Sequence, residues 1–450
     1  MSSEKASAST GISESSLWWR SVERPIFTPG PISKYWDVAI IGGGFSGLWT
    51  AHHLKVNNPE LSIAIFEANF VGSGASGRNG GWISALFPVD KEKLRKRDSE
   101  GAIDLLFKNL EASVVEIGSF ARAANIECGY SKSGTYNVAR NLGQLARIKN
   151  KIARESIFLD KIEISEKINM SGALGGAFNP NCASVNPYQL LTGLAQDLEA
   201  KGVSIYEQAR AEVTGRNINV HFQEEEILVN TKYTVRAIEA YHSQTRDQVP
   251  IYSLVVATEP IPSELRKLIG ISDGETFSEE KHTVTYAQLT EDHRLVVGGR
   301  GAPYIFGSKR SDSNESLETV HQKLKAMVIE WFPQLENIKF THSWGGAVGV
   351  TRNWAPYVTW DGSIATMGGY AGDGLGLSYL AANSVADLIC RKNSERATLL
   401  YVNSPKKRWE PEPLRWIGIN AFIAATKAAD YEEKLTGRAS LIAKALNKLF

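Results

Sequence analysis

The fold is decided by the stretch Asp37-Val-Ala-Ile-Ile-Gly-Gly-Gly-Phe-Ser-Gly47. Its first five residues form a short apolar run, which is typical of a buried parallel strand. Residues 42–47 follow as GxGxxG, and the next residues place Leu48, Ala51 and Leu54 on one face of a predicted helix. A second apolar run at 62–66 comes directly afterwards. The order strand, glycine turn, helix, strand predicts one βαβ unit.

The glycines at 42, 44 and 47 have the spacing that a pyrophosphate-binding turn requires. The first permits a tight turn, the second lets the backbone approach a pyrophosphate, and the third lets helix and strand pack closely. The helix N-terminus offers free N–H groups to the phosphates. Glu67 follows at the end of the second strand, where a carboxylate can accept hydrogen bonds from ribose hydroxyls and disfavours the 2′-phosphate of NADP. We therefore predict dinucleotide binding rather than a purely structural turn, with FAD and NAD both open.

A second glycine cluster, Gly72–Gly81, has five glycines in ten residues. A flexible linker would explain the glycines, but Arg78, Asn79 and the following Trp82 are unusual linker residues. A backbone that passes close to a flat ring system needs glycine, because a Cβ would clash with the ring. The cluster therefore predicts a contact with the ring system of a cofactor.

A third cluster, Gly368-Gly-Tyr-Ala-Gly-Asp-Gly374, stands between a predicted strand and a predicted helix. The N-terminus of that helix would stabilise a negatively charged group, such as reduced isoalloxazine, by ~0.5–2 kcal/mol. A second structural strand–helix turn is the alternative. FAD needs three such sites because its ends lie far apart, whereas NAD enzymes need fewer. The three clusters together favour FAD.

Composition excludes several classes of protein. The 450 residues carry 50 Lys and Arg against 49 Asp and Glu, a net charge of +1, which gives no reason to expect nucleic acid as a partner. The three cysteines are far apart, so neither a disulfide framework nor a cysteine zinc site is predicted, and a reducing compartment is favoured. No metal site and no membrane span are predicted. Met1–Ser16 is predicted to be a disordered start, with a transit peptide as the alternative.

The remaining patterns mix both types of element, which predicts an α/β protein with a more antiparallel section. Helices are predicted at 100–126, 187–198, 316–331 and 375–390. Strands are predicted at 203–206, 218–222, 227–230, 251–257, 283–289, 294–298 and 363–367.

These motifs resemble the D-amino acid oxidase-type FAD-dependent oxidoreductases, and among them the γ-glutamylputrescine oxidase-like amine oxidases, for which Ser-Gly-Arg-Asn-Gly-Gly is characteristic. The likeness runs from about Trp36 to Cys390 and includes Trp344-Gly-Gly346 with Thr351 and Pro356. It implies a Rossmann-like FAD-binding domain and an interleaved substrate domain built on a mixed, largely antiparallel sheet. It also implies oxidation of a C–N bond by hydride transfer to flavin N5, with oxygen reoxidising the flavin to give hydrogen peroxide.

The resemblance also implies domain boundaries and cofactor contacts. The expected order is an N-terminal arm (1–35), FAD-binding segments (36–110, 185–275, 344–395), substrate segments (111–184, 276–343) and a C-terminal helical extension (396–450). The expected non-covalent FAD contacts are Gly42, Gly44, Phe45, Ser46, Gly47, Glu67, Ser76, Arg78, Asn79, Gly80, Ala257, Gly372, Asp373, Gly374 and Leu375.

One residue departs from the family pattern. Many amine-oxidising members carry histidine where this chain has Asp373. A carboxylate beside an anionic reduced flavin disfavours that state unless it is protonated or turned away. Attachment of the flavin through cysteine is not expected, because no cysteine lies in the predicted loop Trp344–Pro356.

The catalytic residues are not identified by the sequence, which offers Asp373, Arg78, His282 and Arg300 as candidates. Arg300 either clamps a substrate carboxylate or is a surface arginine at a hairpin end. His282 and Lys281 either assist proton or oxygen chemistry or belong to a solvated loop. Each candidate pocket-lining aromatic has ordinary core packing as its alternative: Tyr286, Tyr304, Phe306, Trp344 and Trp354.

The predicted partners are a small amine or amino acid and oxygen or another electron acceptor, in the cytoplasm. A dehydrogenase that reduces a quinone or a protein is one alternative. A flavin-binding protein with a non-catalytic partner-binding role is another.

Overall fold

The computed structural model describes residues 16–151, 156–241 and 246–449. The predicted disordered start therefore lies, except for Ser16, outside the described residues. In chain order the strands are β1 (Tyr35–Ile41), β2 (Ile63–Phe66), β3 (Trp82–Ser84), β4 (Thr135–Ala139), β5 (Ile157–Leu159), β6 (Gly175–Asn179), β7 (Cys182–Ser184), β8 (Ser204–Tyr206), β9 (Arg210–Thr214), β10 (Asn217–Phe222), β11 (Glu225–Arg236), β12 (Gln248–Thr258), β13 (Thr276–Glu279), β14 (Thr285–Leu289), β15 (Leu295–Arg300), β16 (Phe340–Thr351), β17 (Tyr357–Trp360) and β18 (Ile364–Gly368).

The α-helices are distributed along the whole described chain. They are α1 (Phe45–Asn57), α2 (Lys91–Arg95), α3 (Glu100–Ala123), α4 (Leu142–Lys151), α5 (Lys161–Lys167), α6 (Pro187–Ala200), α7 (Ser263–Ile269), α8 (Asp312–Glu315), α9 (Glu318–Trp331), α10 (Gly374–Ile389), α11 (Leu414–Thr436) and α12 (Leu441–Leu449). None of the helices in these described segments is long and apolar enough to cross a membrane.

The first sheet contains the predicted βαβ unit. Strand β1 pairs in parallel with β2 on one side and with β11 on the other, and β18 and β8 extend the parallel part outward. The last four residues of β1 are buried, as expected for a strand covered on both faces. Strand β17 and the hairpin β9–β10 add antiparallel pairs at its edge. The sheet is therefore the Rossmann-like part that the first glycine turn predicts.

The second sheet is mixed and largely antiparallel. Its order is β16-β12-β15-β14-β13-β4-β6-β5, and only the β13–β4 pair is parallel among its described strands. Strands β12 and β16 pair along almost their whole length, from Gln248 opposite Thr351 to Thr258 opposite Phe340. The predicted fold class is confirmed, with each sheet of the expected type.

Two large apolar cores hold the two sheets, and smaller ones add to them. The larger one joins β1 and β2 to helices α1, α3, α6 and α10 through residues such as Val38, Leu48, Leu110 and Leu380. The second core packs β12 and β15 against α9. The larger core also includes Val255, Val296 and Trp344 of the second sheet, so the two sheets share part of it.

The helix α6 shows how local signals fix element ends. The Asn186 side chain accepts hydrogen bonds from the backbone N–H groups of Tyr188 and Gln189 at 3.1 and 3.2 Å. Pro187 stands in the first turn, where a missing N–H costs nothing. Gly202 has φ +77° just beyond the last turn. These are the cap signals that the sequence offers at both ends.

The expected segment boundaries stay predictions, and three elements can be compared with them. Strand β12 falls within the expected FAD-binding segment 185–275, and residues 344–351 of β16 fall within the next one, 344–395, yet both strands belong to the second sheet. Much of α3 falls within the expected substrate segment 111–184, yet Val114 and Ile117 pack in the larger core. The first half of the predicted loop Trp344–Pro356 is not a loop, because residues 344–351 belong to strand β16. The sheet or core to which each of these elements belongs is decided by partners that are distant in the chain. A local sequence pattern carries no information about such partners.

Candidate functional site

The first glycine turn begins where β1 ends. Gly42 has φ +109°, and a Cβ on it would lie 2.6 Å from the Ala237 carbonyl oxygen. A Cβ on Gly47 would overlap the carbonyl oxygen of Gly42, so only glycine lets α1 pack against the turn. Gly44 precedes α1 and offers no side-chain cap, which leaves the first N–H groups of the helix for other acceptors.

Glu67 lies immediately after β2 and faces this turn. Its carboxylate accepts hydrogen bonds from the Gly43 N–H at 2.7 Å and the Asn69 N–H at 2.9 Å. Burial raises its pKa, and these hydrogen bonds only partly oppose the shift. The predicted contact between Glu67 and a ribose stays a prediction.

A cavity of about 980 Å³ begins at the first glycine turn and continues to the second sheet. This volume is at the upper end of the roughly 300–1,000 Å³ typical of ligand sites. The expected FAD contacts that line it are Gly42, Gly44, Phe45, Ser46, Glu67, Ser76, Arg78, Asn79, Gly80, Gly372, Asp373, Gly374 and Leu375. The three glycine clusters therefore meet in one continuous space.

The second glycine cluster is folded against the start of α1. The Ser76 hydroxyl accepts a hydrogen bond from the Phe45 N–H at 3.0 Å. Asn79 donates its amide to the Ser76 carbonyl at 2.7 Å and accepts from the Gly81 N–H at 2.8 Å. A Cβ on Gly80 would overlap the Tyr286 ring, so the backbone and the ring are in direct contact.

Arg78 is the most elaborately paired residue of this cluster. Its guanidinium forms a short ion pair with Glu315, and both side chains are 6% exposed. It also donates to the Tyr241 hydroxyl at 2.9 Å and lies over the Trp19 ring. Burial opposes its charge, but Tyr241 and Glu315 outweigh burial and raise its pKa. Arg78 is thus a fixed positive charge in the cavity wall.

Two tryptophans outside the cavity hold the carbonyl groups of the same cluster. Trp18 in the N-terminal arm donates to the Asn79 carbonyl at 2.7 Å, and Trp344 donates to the Arg78 carbonyl at 2.9 Å. Their rings meet edge to face at 6.1 Å. Trp344 is therefore a support for the cavity wall rather than part of its lining.

The third glycine cluster ends in the N-terminus of α10. Gly372 has φ +105°, and Asp373 precedes the helix without capping it. The Asp373 carboxylate accepts from the Ser84 hydroxyl at 3.4 Å. Burial raises its pKa to about 6, against an opposing effect of Arg300. The departure from the family pattern therefore places a group that can be protonated near neutral pH in the cavity.

Arg300 and Tyr286 enter the cavity from adjacent strands of the second sheet. The guanidinium of Arg300 donates to the Ala371 carbonyl and lies over the Trp354 ring at 5.3 Å. In the described segments, no carboxylate oxygen lies within 4.0 Å of its guanidinium nitrogens. Burial lowers its pKa, while Asp373 and Tyr286 oppose this. The alternative of a surface arginine is wrong, because Arg300 lines the cavity.

Several expected residues do not line the cavity. Ala257 is buried in β12 between Val296 and His342, because β12 belongs to the second sheet. His282 is 17% exposed and contacts Glu433 at 3.0 Å, whereas its neighbour Lys281 does line the cavity. The others are Gly47 in the turn, the buried Tyr304 and Trp344, and the exposed Phe306.

A group of residues on the far side of Arg78 is not predicted from the sequence. Tyr241, Glu315 and Arg310 surround it, and the Arg310 guanidinium lies 4.0 Å from the Tyr241 ring centre. Glu315 is 237 positions from Arg78 in the chain. No local signal could have paired them. Ser84, which contacts Asp373, is missed for the same reason.

The residues present fit FAD. Two helix N-termini whose N-cap residues make no side-chain cap, those of α1 and α10, meet the cavity and can each receive a negatively charged group. A Cβ on Gly374 would have no neighbour closer than 3.9 Å, and one on Gly346 none closer than 3.7 Å. Side chains there would occupy the cavity without clashing with protein. These glycines keep open a space of the kind that a long cofactor needs.

The fold and the cavity define a Rossmann-type dinucleotide-binding protein with a second, largely antiparallel sheet. The chain belongs to the FAD dependent oxidoreductase family (DAO), whose profile matches residues 37–388. FAD is accordingly its cofactor and oxidoreduction its chemistry.

Known proteins resemble the chain over most of its length. It is 26% identical to a probable oxidoreductase OrdL of Rhizobium meliloti over 88% of this chain and 92% of that protein. It is likewise 26% identical to gamma-glutamylputrescine oxidoreductase of Escherichia coli, over 80% of this chain and 84% of that one. The crystal structure of glycine oxidase from Bacillus cereus superposes with a TM-score of 0.64 at 22% identity, over 82% and 99% of the two chains.

The raised pKa of Asp373 predicts a pH-dependent stability. From its ordinary value of 3.8 up to about 6, the folded protein retains a proton that the unfolded chain has lost. Stability therefore falls as pH rises through this range. Relative to Asp373→Asn, the wild type should lose about 2 kcal/mol between pH 4 and pH 7. Unfolding free energies of both proteins across this range provide the measurement.

Asp361 provides a control of opposite sign for this experiment. The Ile364 N–H lowers the pKa of this exposed carboxyl, so wild-type stability relative to Asp361→Asn should fall as pH decreases below 4. Parallel profiles for wild type and Asp373→Asn between pH 4 and pH 7 would contradict the prediction.

Proposed function

We propose that the chain is an oxidase that breaks C–H at the carbon of a C–N bond in an amine or amino acid, with oxygen as the electron acceptor and hydrogen peroxide as product. When bound, FAD supplies the hydride acceptor at N5, and hydrolysis of the resulting imine completes the oxidation. The coarser activity, FAD-dependent oxidoreduction, is that of the family. The bond and the acceptor are the proposal.

The observation that carries the proposal is the position of Arg300. It brings a buried cation, with guanidinium N–H groups beyond the one used by Ala371, into the cavity next to the third glycine cluster. Such a group binds a carboxylate well, because the planar fork of donors matches two oxygens. Glycine and γ-glutamylputrescine, named in two of the relatives, both carry an amino group and a carboxylate.

The cavity walls near Arg300 suit the other half of such a substrate. Hydride loss requires a neutral amine, and an apolar environment lowers the pKa of an ammonium group. Tyr286, Trp354 and Trp82 provide aromatic surface in the cavity. The Tyr286 hydroxyl is held by Ser253 at 2.9 Å, and burial raises its pKa, so it remains a neutral hydrogen-bonding group. These residues would orient the amine and exclude water from it.

The test is anaerobic bleaching of the flavin in the purified holoprotein. We expect at least one class among polyamines, N-methylated amino acids, cyclic imino acids and D-amino acids to bleach it. Bleaching by none of these classes would contradict the proposal and support a non-catalytic flavoprotein. On admission of air, peroxide release at the rate of substrate loss supports the oxidase. Turnover only with a quinone or dye acceptor would instead support the dehydrogenase.

We also propose a cytoplasmic location, for which the three cysteines, all free, are the support. Fractionation of cells that produce the protein tests this location. Recovery in an oxidising compartment would contradict it.

A further inference from the structure

The C-terminal helix α11 lies beyond the residues that the family profile matches. We propose that α11 positions the substrate-side wall of the cavity, with Asp430 and Phe422 as positioning residues for substrate recognition. The inference deepens the proposed function and rests on it for the identity of the ligand.

The first contact fixes the start of the β14–β15 hairpin. The Asp430 carboxylate accepts hydrogen bonds from the backbone N–H groups of His282 at 2.7 Å and Thr283 at 3.0 Å. Hydrogen bonds to an ionised acceptor are stronger than neutral ones. The residues on either side, Lys281 and Val284, line the cavity. One carboxylate of α11 therefore holds a two-residue piece of backbone between two parts of the cavity wall.

A second contact anchors the same part of α11. Glu433, whose side chain is 1% exposed, pairs with Arg147 at 2.5 Å and contacts His282 Nε2 at 3.0 Å. Burial opposes its charge, but hydrogen bonds from Arg147 and the Ser440 N–H outweigh burial and lower its pKa. Helix α11 is thus fixed to α4 and to the segment between β13 and β14 by a contact that does not use Asp430.

A third contact reaches Arg300 through one intervening ring. Phe422 packs against Trp354 with ring centres 6.3 Å apart. Trp354 lines the cavity and has φ +62°, a backbone conformation that is uncommon outside glycine and needs support from its surroundings. The Arg300 guanidinium lies over the same Trp354 ring. Phe422 therefore supports the ring on which Arg300 rests.

A fourth set of contacts fixes the backbone that follows Arg300. The Asn420 amide accepts from the Tyr304 N–H and donates to the Tyr304 carbonyl, both at 3.0 Å. Lys427 donates to the Gly301 carbonyl at 2.8 Å. Both ends of the β14–β15 hairpin are thus attached to α11. Tyr286 and Arg300, the two hairpin side chains in the cavity, lie between these attachments.

The experiment compares Phe422→Ala and Asp430→Asn in the FAD-loaded full-length protein. We expect the KM of the best substrate to rise about tenfold in each, with kcat within twofold and FAD content unchanged. Phe422→Leu, which keeps an apolar contact, should recover part of the loss. Tyr431→Ala is the matched control, because Tyr431 is next to Asp430 and 64% exposed. Unchanged KM values in both test variants would overturn the inference.

Hydrogen exchange separates this inference from the proposed function. In Asp430→Asn the amides of His282 and Thr283 should exchange at least tenfold faster, whereas the Gly43 amide, bonded to Glu67, should not change. This local change in a protein whose flavin no amine bleaches would support α11 as a positioning element and reject the amine oxidase. Unchanged exchange at 282 and 283, or acceleration throughout the protein, would overturn the inference.

Discussion

Replacing Glu315 by alanine is expected to destabilise the protein by about 3–5 kcal/mol and to lower its FAD content. Glu315 and Arg78 form an ion pair with both side chains 6% exposed. Removal of one partner leaves the other charge buried without compensation, which costs about this much. Arg78 lies in the glycine cluster that lines the cavity, so its displacement should also disturb the cofactor site. Thermal unfolding and flavin absorbance per protein measure the two effects.

The control for Glu315→Ala is Glu264→Ala. Glu264 pairs with Lys267 at 3.1 Å, but both side chains are more than 70% exposed, and such pairs contribute roughly 1 kcal/mol or less. The double variant Arg78→Leu/Glu315→Leu should recover part of the stability, because no unpaired charge remains. Equal losses in Glu315→Ala and Glu264→Ala would show that burial of this pair does not matter.

The sequence predicts those parts of the site in which the interacting residues are close together in the chain. Gly42, Gly44 and Gly47 lie within residues 42–47, where β1 leads into α1. Their spacing in the sequence is therefore enough to predict the close packing that the structure shows. The same holds for Asn186 and Gly202 at the ends of α6. Glu67 is predicted because βαβ units have a nearly constant length. Such signals need no knowledge of the rest of the chain.

The parts that the sequence misses depend on pairs far apart in the chain. Glu315 is 237 positions from Arg78, and an acidic residue in a polar segment has no property that distinguishes it from a surface residue. Strand β12 is an apolar run that suits either sheet, and only its pairing with β15 and β16 assigns it and Ala257 to the second one. Local periodicity cannot choose between two buried environments.

Replacing Arg300 by leucine is expected to raise the KM of a carboxylate-bearing substrate roughly 30- to 5,000-fold, which corresponds to about 2–5 kcal/mol. The variant removes the guanidinium donors, and the substrate carboxylate would then enter a buried cavity without a partner. Arg300→Lys should lie in between, since it keeps the charge but loses the planar fork of donors. Steady-state kinetics of all three proteins with one amino acid provide the measurement.

The matched control for Arg300→Leu is a change of substrate. The amine obtained by removing the carboxylate from the same amino acid cannot use Arg300, so its KM should differ by less than about threefold between wild type and Arg300→Leu. An equal increase for both compounds would contradict a carboxylate-binding role and indicate that the variant has disturbed Trp354, which lies against the guanidinium.

Loss of Arg300 should also raise the pKa of Asp373 further, because Arg300 opposes the effect of burial there. The pH dependence of kcat/KM for the amine therefore shows whether the two charges act together, independently of the carboxylate.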